Sequence, residues 1–232
     1  MNASLNGKQI AETLARALPK HWDGEACVSE LHAADHQWRQ MEWIGFWFEY
    51  RARQILAPLG ATRGPTFGNM CFDCAINGVW DFKSHPTGGA ASKMAYLNDE
   101  EAVLECLKLE QHLGWIIAVG EASYDTDGQF KTWHDRLKGN ESDYVQAGRK
   151  IGRASRRRKA AFELKGIVWF EFRSATELDT AVRAGWMSRG MQAAQRNSDG
   201  NARRAKFGFS YSRWRAYSGS TPSYSAGGIV PV

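Results

Sequence analysis

What this 232-residue chain lacks narrows its class before any motif is considered. It has only four cysteines and no paired cysteine framework, which excludes a disulfide-stapled secreted scaffold and leads us to expect reduced thiols in the cytoplasm. Its apolar runs fall well short of the ~20 residues a membrane span needs. The opening MNASLNGKQI has neither the charged start nor the apolar stretch of a signal peptide. Cys71-x-x-Cys74 lacks a second pair or a close HxxxH that would complete a zinc site, so these are read as core thiols. Thr87–Lys93 lacks the glycine-lysine spacing of a phosphate loop, and Asp125-Thr-Asp127-Gly128 lacks the rest of a calcium loop. No internal repeat is visible.

What remains is an ordinary core-forming composition, 43% hydrophobic and 12% aromatic, enough for one large domain or a core with an appended subdomain. Charge is divided unequally. Residues 1–120 carry 10 Lys/Arg against 14 Asp/Glu, net −4, and residues 121–232 carry 20 against 11, net +9.

The most informative segment is DCAINGVWDFK, Asp73 to Lys83. Two short apolar runs rich in strand-favouring residues flank Asn77-Gly78, which supplies the positive φ angles of a tight hairpin turn. Asp73 lies on the first run, and Asp81 and Lys83 on the second. Two carboxylates meeting among aromatics repel each other and lose solvation unless a cation lies between them, and a divalent metal is the simplest such cation. Register decides whether they meet. A two-residue loop sends Asp73 to the opposite face from Asp81, whereas a three-residue loop, Ile76-Asn77-Gly78 with Gly78 left-handed, pairs Ala75 with Val79 and sets Asp73 opposite Asp81. We expect the odd-length turn.

This arrangement resembles the active site of the PD-(D/E)xK nucleases, the superfamily that includes most type II restriction endonucleases. Phe72 stands where the family name has proline, and Asp81 where glutamate is more usual. The resemblance implies that Asp73 and Asp81 bind Mg2+ and that Lys83 positions or activates the attacking water. It extends over residues 38–119: apolar spacing predicts a helix over 37–57, Asn98 is expected to cap a second helix running towards Gly114, and WIIAV (115–119) reads as a strand buried on both faces after a crossover. Many family members carry a further glutamate on the first core helix. Glu49 is the candidate, Glu42 competes with it, and either can instead pair with Arg39, Arg51 or Arg53.

The basic half peaks in RKIGRASRRRKAAFELK (149–165), read as a helix that offers Arg149, Lys150, Arg153, Arg156, Arg157, Arg158 and Lys159 to a phosphate backbone, with Arg203, Arg204 and Lys206 as a second cluster. A solvated surface helix is the alternative. GIVWFEF (166–172) reads as a strand, Ser174–Glu177 as the capped start of a helix to about Ala184, and 207–217 as a strand.

The expectation is an α/β protein, with a mixed β-sheet flanked by helices, a restriction-endonuclease-like core and a basic C-terminal half. The segments are 1–36 (N-terminal helical), 37–120 (nuclease core), 121–217 (basic, DNA-binding) and 218–232 (flexible tail). Function is expected to be Mg2+-dependent hydrolysis of double-stranded DNA by a homodimer, first as a restriction endonuclease. A structure-selective resolvase or phage repair nuclease, or a non-catalytic DNA-binding protein, remains as the alternative.

Overall fold

The structure, a computed structural model, describes residues 5–87, 94–139, 150, 152, 157–196, 200–220 and 227–232. Its elements run α1 (Gly7–Ala17), β1 (His21–Asp23), α2 (Gly24–Ala33), α3 (Trp43–Leu56), β2 (Thr66–Phe67), β3 (Met70–Cys71), β4 (Cys74–Ala75), β5 (Val79–Pro86), β6 (Ala95–Asp99), α4 (Glu100–Glu110), β7 (Leu113–Tyr124), α5 (Gln129–Leu137), β8 (Lys159–Phe172), α6 (Ala175–Arg183), β9 (Met187–Met191), β10 (Lys206–Phe209), α7 (Tyr211–Ser220) and β11 (Gly227–Pro231). The architecture is mixed α/β. One six-stranded sheet has the order β1-β8-β7-β5-β4, with β11 also on β8, and a three-stranded sheet has the order β6-β10-β9. Within the large sheet β5 and β7 are parallel and the other pairs antiparallel.

The two-residue period of the strands divides the core into two layers. Ile116 and Ala118 of β7 join Trp80 and Phe82 of β5 and Ile167 and Trp169 of β8 beneath α1, α2 and α3, where Leu14, Val28, Trp47 and Phe48 are buried. Trp115, Ile117 and Val119 face the other way with Val79, Val168 and Phe170, against Val103 and Leu107 of α4, Leu178 of α6 and Phe207 and Phe209 of β10. A strand with apolar side chains on both faces has no polar alternation, which is why WIIAV reads as a continuous run. β5 and β7 are parallel, so the chain must cross over between them, and β6 and α4 make that crossover.

Several expected boundaries move. The helix expected from residue 37 starts at Trp43, because Asp35 and Gln37 take positive φ values of 49° and 46° that no helix accepts. The helix expected over 149–165 gives way to β8 from Lys159 onward, and the rest of that stretch, apart from residues 150, 152, 157 and 158, lies outside the described residues. The strand expected over 207–217 ends at Phe209: the Ser210 N–H donates to the Trp186 carbonyl, and the Trp214 N–H then donates to Ser210 to open α7. The tail expected to be flexible contributes β11, which pairs residue for residue with Gly166–Phe170. Residues from all four expected segments therefore build one sheet.

β7 and β8 shift register between Val119 and Gly120, where the Glu163 backbone leaves no room for a side chain. A Cβ on Gly120 would lie 2.1 Å from the Glu163 carbonyl oxygen, and backbone cannot step aside as a flexible side chain can. Gly120→Ala should destabilise the fold by about 1–3 kcal/mol, the usual cost of overpacking, seen as a lower urea midpoint at unchanged slope.

Candidate active site at the β4–β5 edge

The turn sets the geometry. Cys74 pairs with Trp80 and Ala75 with Val79, so the loop is Ile76-Asn77-Gly78, the odd-length alternative. Its angles differ in detail from expectation: Asn77 takes the left-handed φ of 48°, and Gly78 lies at 132°. His112 braces the loop from below. Its Nδ1 accepts from the Val79 N–H at 3.1 Å, and its ring lies 2.4 Å from where a Gly78 Cβ would be. Any larger residue at 78 would collide with that ring.

β4 begins only at Cys74, opposite Trp80, and Asp73, just before it, replaces a neighbouring strand. Its Oδ2 accepts the Phe82 N–H at 2.7 Å, so a carboxylate takes the place of a ladder carbonyl at the open edge of β5. Asp81 is fully buried. The Asn98 amide donates to its Oδ1 at 2.8 Å, and the Trp115 indole N–H donates in turn to the Asn98 Oδ1 at 2.8 Å. Lys83, on the same face two residues along, pairs with the Asp81 Oδ2 and lies 3.3 Å from the Phe82 carbonyl.

Electrostatics tie these groups into one cluster. Burial, followed by the charge of Asp81 and that of Glu49, pushes the Asp73 carboxyl well above the usual aspartate range despite the opposing pull of Lys83. Burial pulls the Lys83 ammonium down, but Asp81, Asp73 and Glu49 together outweigh it and raise the net value. Glu49 on α3 bears on the same centre. It also takes the salt bridge that competed with that reading, to Arg53 at 3.2 Å, and lies 3.8 Å from the His36 Nε2. Glu42 is exposed at the cap of α3, and its charge acts on Lys159.

Sequence reasoning missed Asn98 and Trp115. Asn98 was expected to cap α4, but Asp99 occupies that position, with no side-chain cap bond, and Asn98 turns inward to Asp81. The hidden clue was Trp115, since a buried indole N–H requires an acceptor.

The basic residues divide. Arg149, Arg153 and Arg156 lie outside the described residues. Lys150, Arg157, Arg203 and Arg204 are exposed, and Lys159 and Lys206 are half-buried. Arg204 reaches Asp99 at 3.3 Å, next in the chain to Asn98, so the three-stranded sheet carries the second basic cluster up to the strand that orients Asp81. Arg158 departs from expectation. It is buried rather than offered to a phosphate, its guanidinium reaching Asp135 at 2.5 Å and the His134 Nδ1 at 3.2 Å. A buried guanidinium stays charged and needs such partners.

Two predictions follow from these charges. Because Asp73 is raised, its ionised form is disfavoured in the metal-free fold, and Asp73→Asn keeps an acceptor for the Phe82 N–H while removing the repulsion. The variant should melt at a higher temperature than the parent at neutral pH, the gain shrinking as the pH falls and the parent's own carboxyl protonates. His134 is fully buried, its Nε2 donating to the Trp38 carbonyl at 2.8 Å, and burial lowers its pKa to about 4. The unfolded chain takes up its proton first, so this stability is present above pH ~6.5 and is lost as the pH falls towards 4, on the order of 2 kcal/mol. Unfolding measured across that window should show the slope, and His134→Gln should flatten it.

The described residues include no group of three or more His, Cys, Asp or Glu side chains placed to hold a metal ion. The two carboxylates and the Phe82 carbonyl are nonetheless the hard oxygen donors that magnesium uses, since that ion commonly takes one or two carboxylates and completes its shell with water and phosphate. No helix among the described residues is long and apolar enough to cross a membrane. Comparison with protein-family models, with curated proteins and with solved structures finds no match to this chain.

Proposed function

We propose that the protein is a Mg2+-dependent deoxyribonuclease acting on double-stranded DNA, with a restriction-endonuclease-like core and a restriction endonuclease as its leading role. One observation carries this reading. Asp73 and Asp81 are drawn to the open edge of β5 with Glu49 behind them, and these three carboxylates meet only two cations among the described residues, Lys83 and Arg53, so the cluster has more carboxylate than cation. A bound divalent ion relieves that excess, and it is the usual agent of phosphodiester hydrolysis at such acids.

In this reading Asp73, Asp81 and the Phe82 carbonyl would hold the ion, which when bound would supply polarisation of the scissile phosphate and a more acidic water molecule. Asn98 grips one oxygen of Asp81 and keeps that carboxylate from rotating. The neighbouring carboxylates keep Lys83 an ammonium, which suits it to donate a hydrogen bond to the water and to offset charge developing on the phosphate, more than to remove a proton. Arg203, Arg204 and Lys206, beside the strand of Asn98, and the exposed Lys150 and Arg157 are the proposed backbone contacts. A homodimer would cut both strands of a two-fold symmetric site.

Incubating the full chain with plasmid DNA, with magnesium and with EDTA, tests the reading. Cleavage should require the metal, and Asp73→Asn, Asp81→Asn and Lys83→Ala should each lower its rate by ~100-fold or more while DNA affinity measured in calcium stays near that of the parent. Full activity of any one variant removes that residue from the mechanism. Discrete bands mark a restriction enzyme, and preference for branched DNA marks a resolvase.

A further inference from the structure

A pocket of about 410 Å³ opens beside the acid cluster, and the proposed mechanism makes no use of it. Its wall includes His36, Tyr50, Arg53, Arg63 and Cys74. Cys74 follows Asp73 in the chain, and both His36 and Arg53 approach Glu49, so the pocket and the cluster share a wall. Three features suit it to one class of ligand. Tyr50 and His36 are stacked, with ring centroids 5.7 Å apart and planes at 29°, and so form an aromatic platform. Arg63 is exposed and has no carboxylate partner among the described residues; its Nε reaches only the Cys71 sulfur, at 3.3 Å. The His36 Nε2 is buried with no hydrogen-bond partner among the described residues, the Glu49 carboxylate standing off at 3.8 Å. The positive φ angles of Asp35 and Gln37 on either side of His36 are a strained backbone of the kind that persists where the surroundings hold a side chain in place.

An aromatic platform and a guanidinium without a carboxylate partner among the described residues, at the rim of a pocket of small-ligand size, are what a base and its phosphate require. We propose that this pocket holds a single unstacked nucleotide next to the scissile phosphate, its base on Tyr50 and His36 and its phosphate on Arg63. The proposal rests on the nuclease reading and extends it: the substrate would present either a frayed strand end or a nucleotide turned out of the duplex, because a stacked and paired base cannot enter.

The test uses the full chain without divalent metal, with thymidine 3′,5′-bisphosphate and inorganic phosphate as probes in calorimetry. The bisphosphate should bind. Arg63→Gln should weaken it by ~10-fold or more, the usual worth of a charge-assisted contact. Tyr50→Leu should weaken it by ~5-fold or more while leaving inorganic phosphate unchanged, as loss of stacking requires. Parental bisphosphate affinity in both variants would overturn the proposal, and so would equal losses of bisphosphate and phosphate in Tyr50→Leu. Arg63 is exposed and pairs only with a thiol, so its variant stays informative even if the tyrosine variant fails to fold. DNA carrying 2-aminopurine at a frayed end, or inside the duplex, identifies the source by which position changes emission in a Tyr50-dependent way; a change at neither refutes the site. Bisphosphate binding through Arg63 and Tyr50 in a protein that never cleaves DNA would remove the nuclease reading and leave the pocket standing.

Discussion

The hydrogen bond from the Phe82 N–H to the Asp73 carboxylate holds the rest of the site in place. Beyond the start of β4, β5 would expose an unpaired amide, and the fold meets that need with a side-chain carboxyl instead of another strand. The exchange is unfavourable in isolation, because it brings Asp73 into a half-buried setting beside a fully buried Asp81. It succeeds because everything around it is fixed: His112 locks the turn, Asn98 and Lys83 occupy both oxygens of Asp81, and Trp115 anchors Asn98. A network satisfied at each link can keep ionisable groups inside a protein, whereas a broken one expels them.

The same parity that assembles this cluster builds the core. Odd positions of β5 carry Val79, Asp81 and Lys83 to the layer under α4, and even positions carry Trp80 and Phe82 to the layer under α3. The polar residues thus lie within an otherwise apolar layer, at an open edge of the sheet. Stability and chemistry oppose each other there, and the large aromatic side chains on both faces supply the surplus that lets the edge remain strained, each fully buried one being worth about 1.5–3 kcal/mol.

Much of this was legible in the sequence, and the limits have physical causes. Strand period and turn chemistry pointed to the β4–β5 hairpin and the buried run of β7, because those signals are local, while its odd-length loop followed from requiring Asp73 and Asp81 to share a face. Ser174 marked α6 for the same reason. What failed was non-local. The basic run at 149–165 looked like a helix because charge spacing carries no information about a partner strand, and β8 exists because β7, β1 and β11 pair with it. Arg158 looked exposed until Asp135 and His134 were placed around it. Asn98 looked like a helix cap because its acceptor lies 17 residues away. The aromatic pocket joins residues from α3 and from the loops before and after it, and no sequence window contains it.

The central strand β8 has one further consequence. Its long edge is shared: His21–Asp23 cover Ala161–Glu163, and Gly227–Pro231 cover Gly166–Phe170. Segments more than 200 positions apart in the chain are thus laid end to end along a single strand, joined by backbone bonds and by the packing of Trp22 and Val230 on the core. Removing either segment would leave a row of bare amides and carbonyls on an apolar strand, a template to which another chain could add. The shielding of this edge therefore depends on two short strands, far along the chain from Asp81.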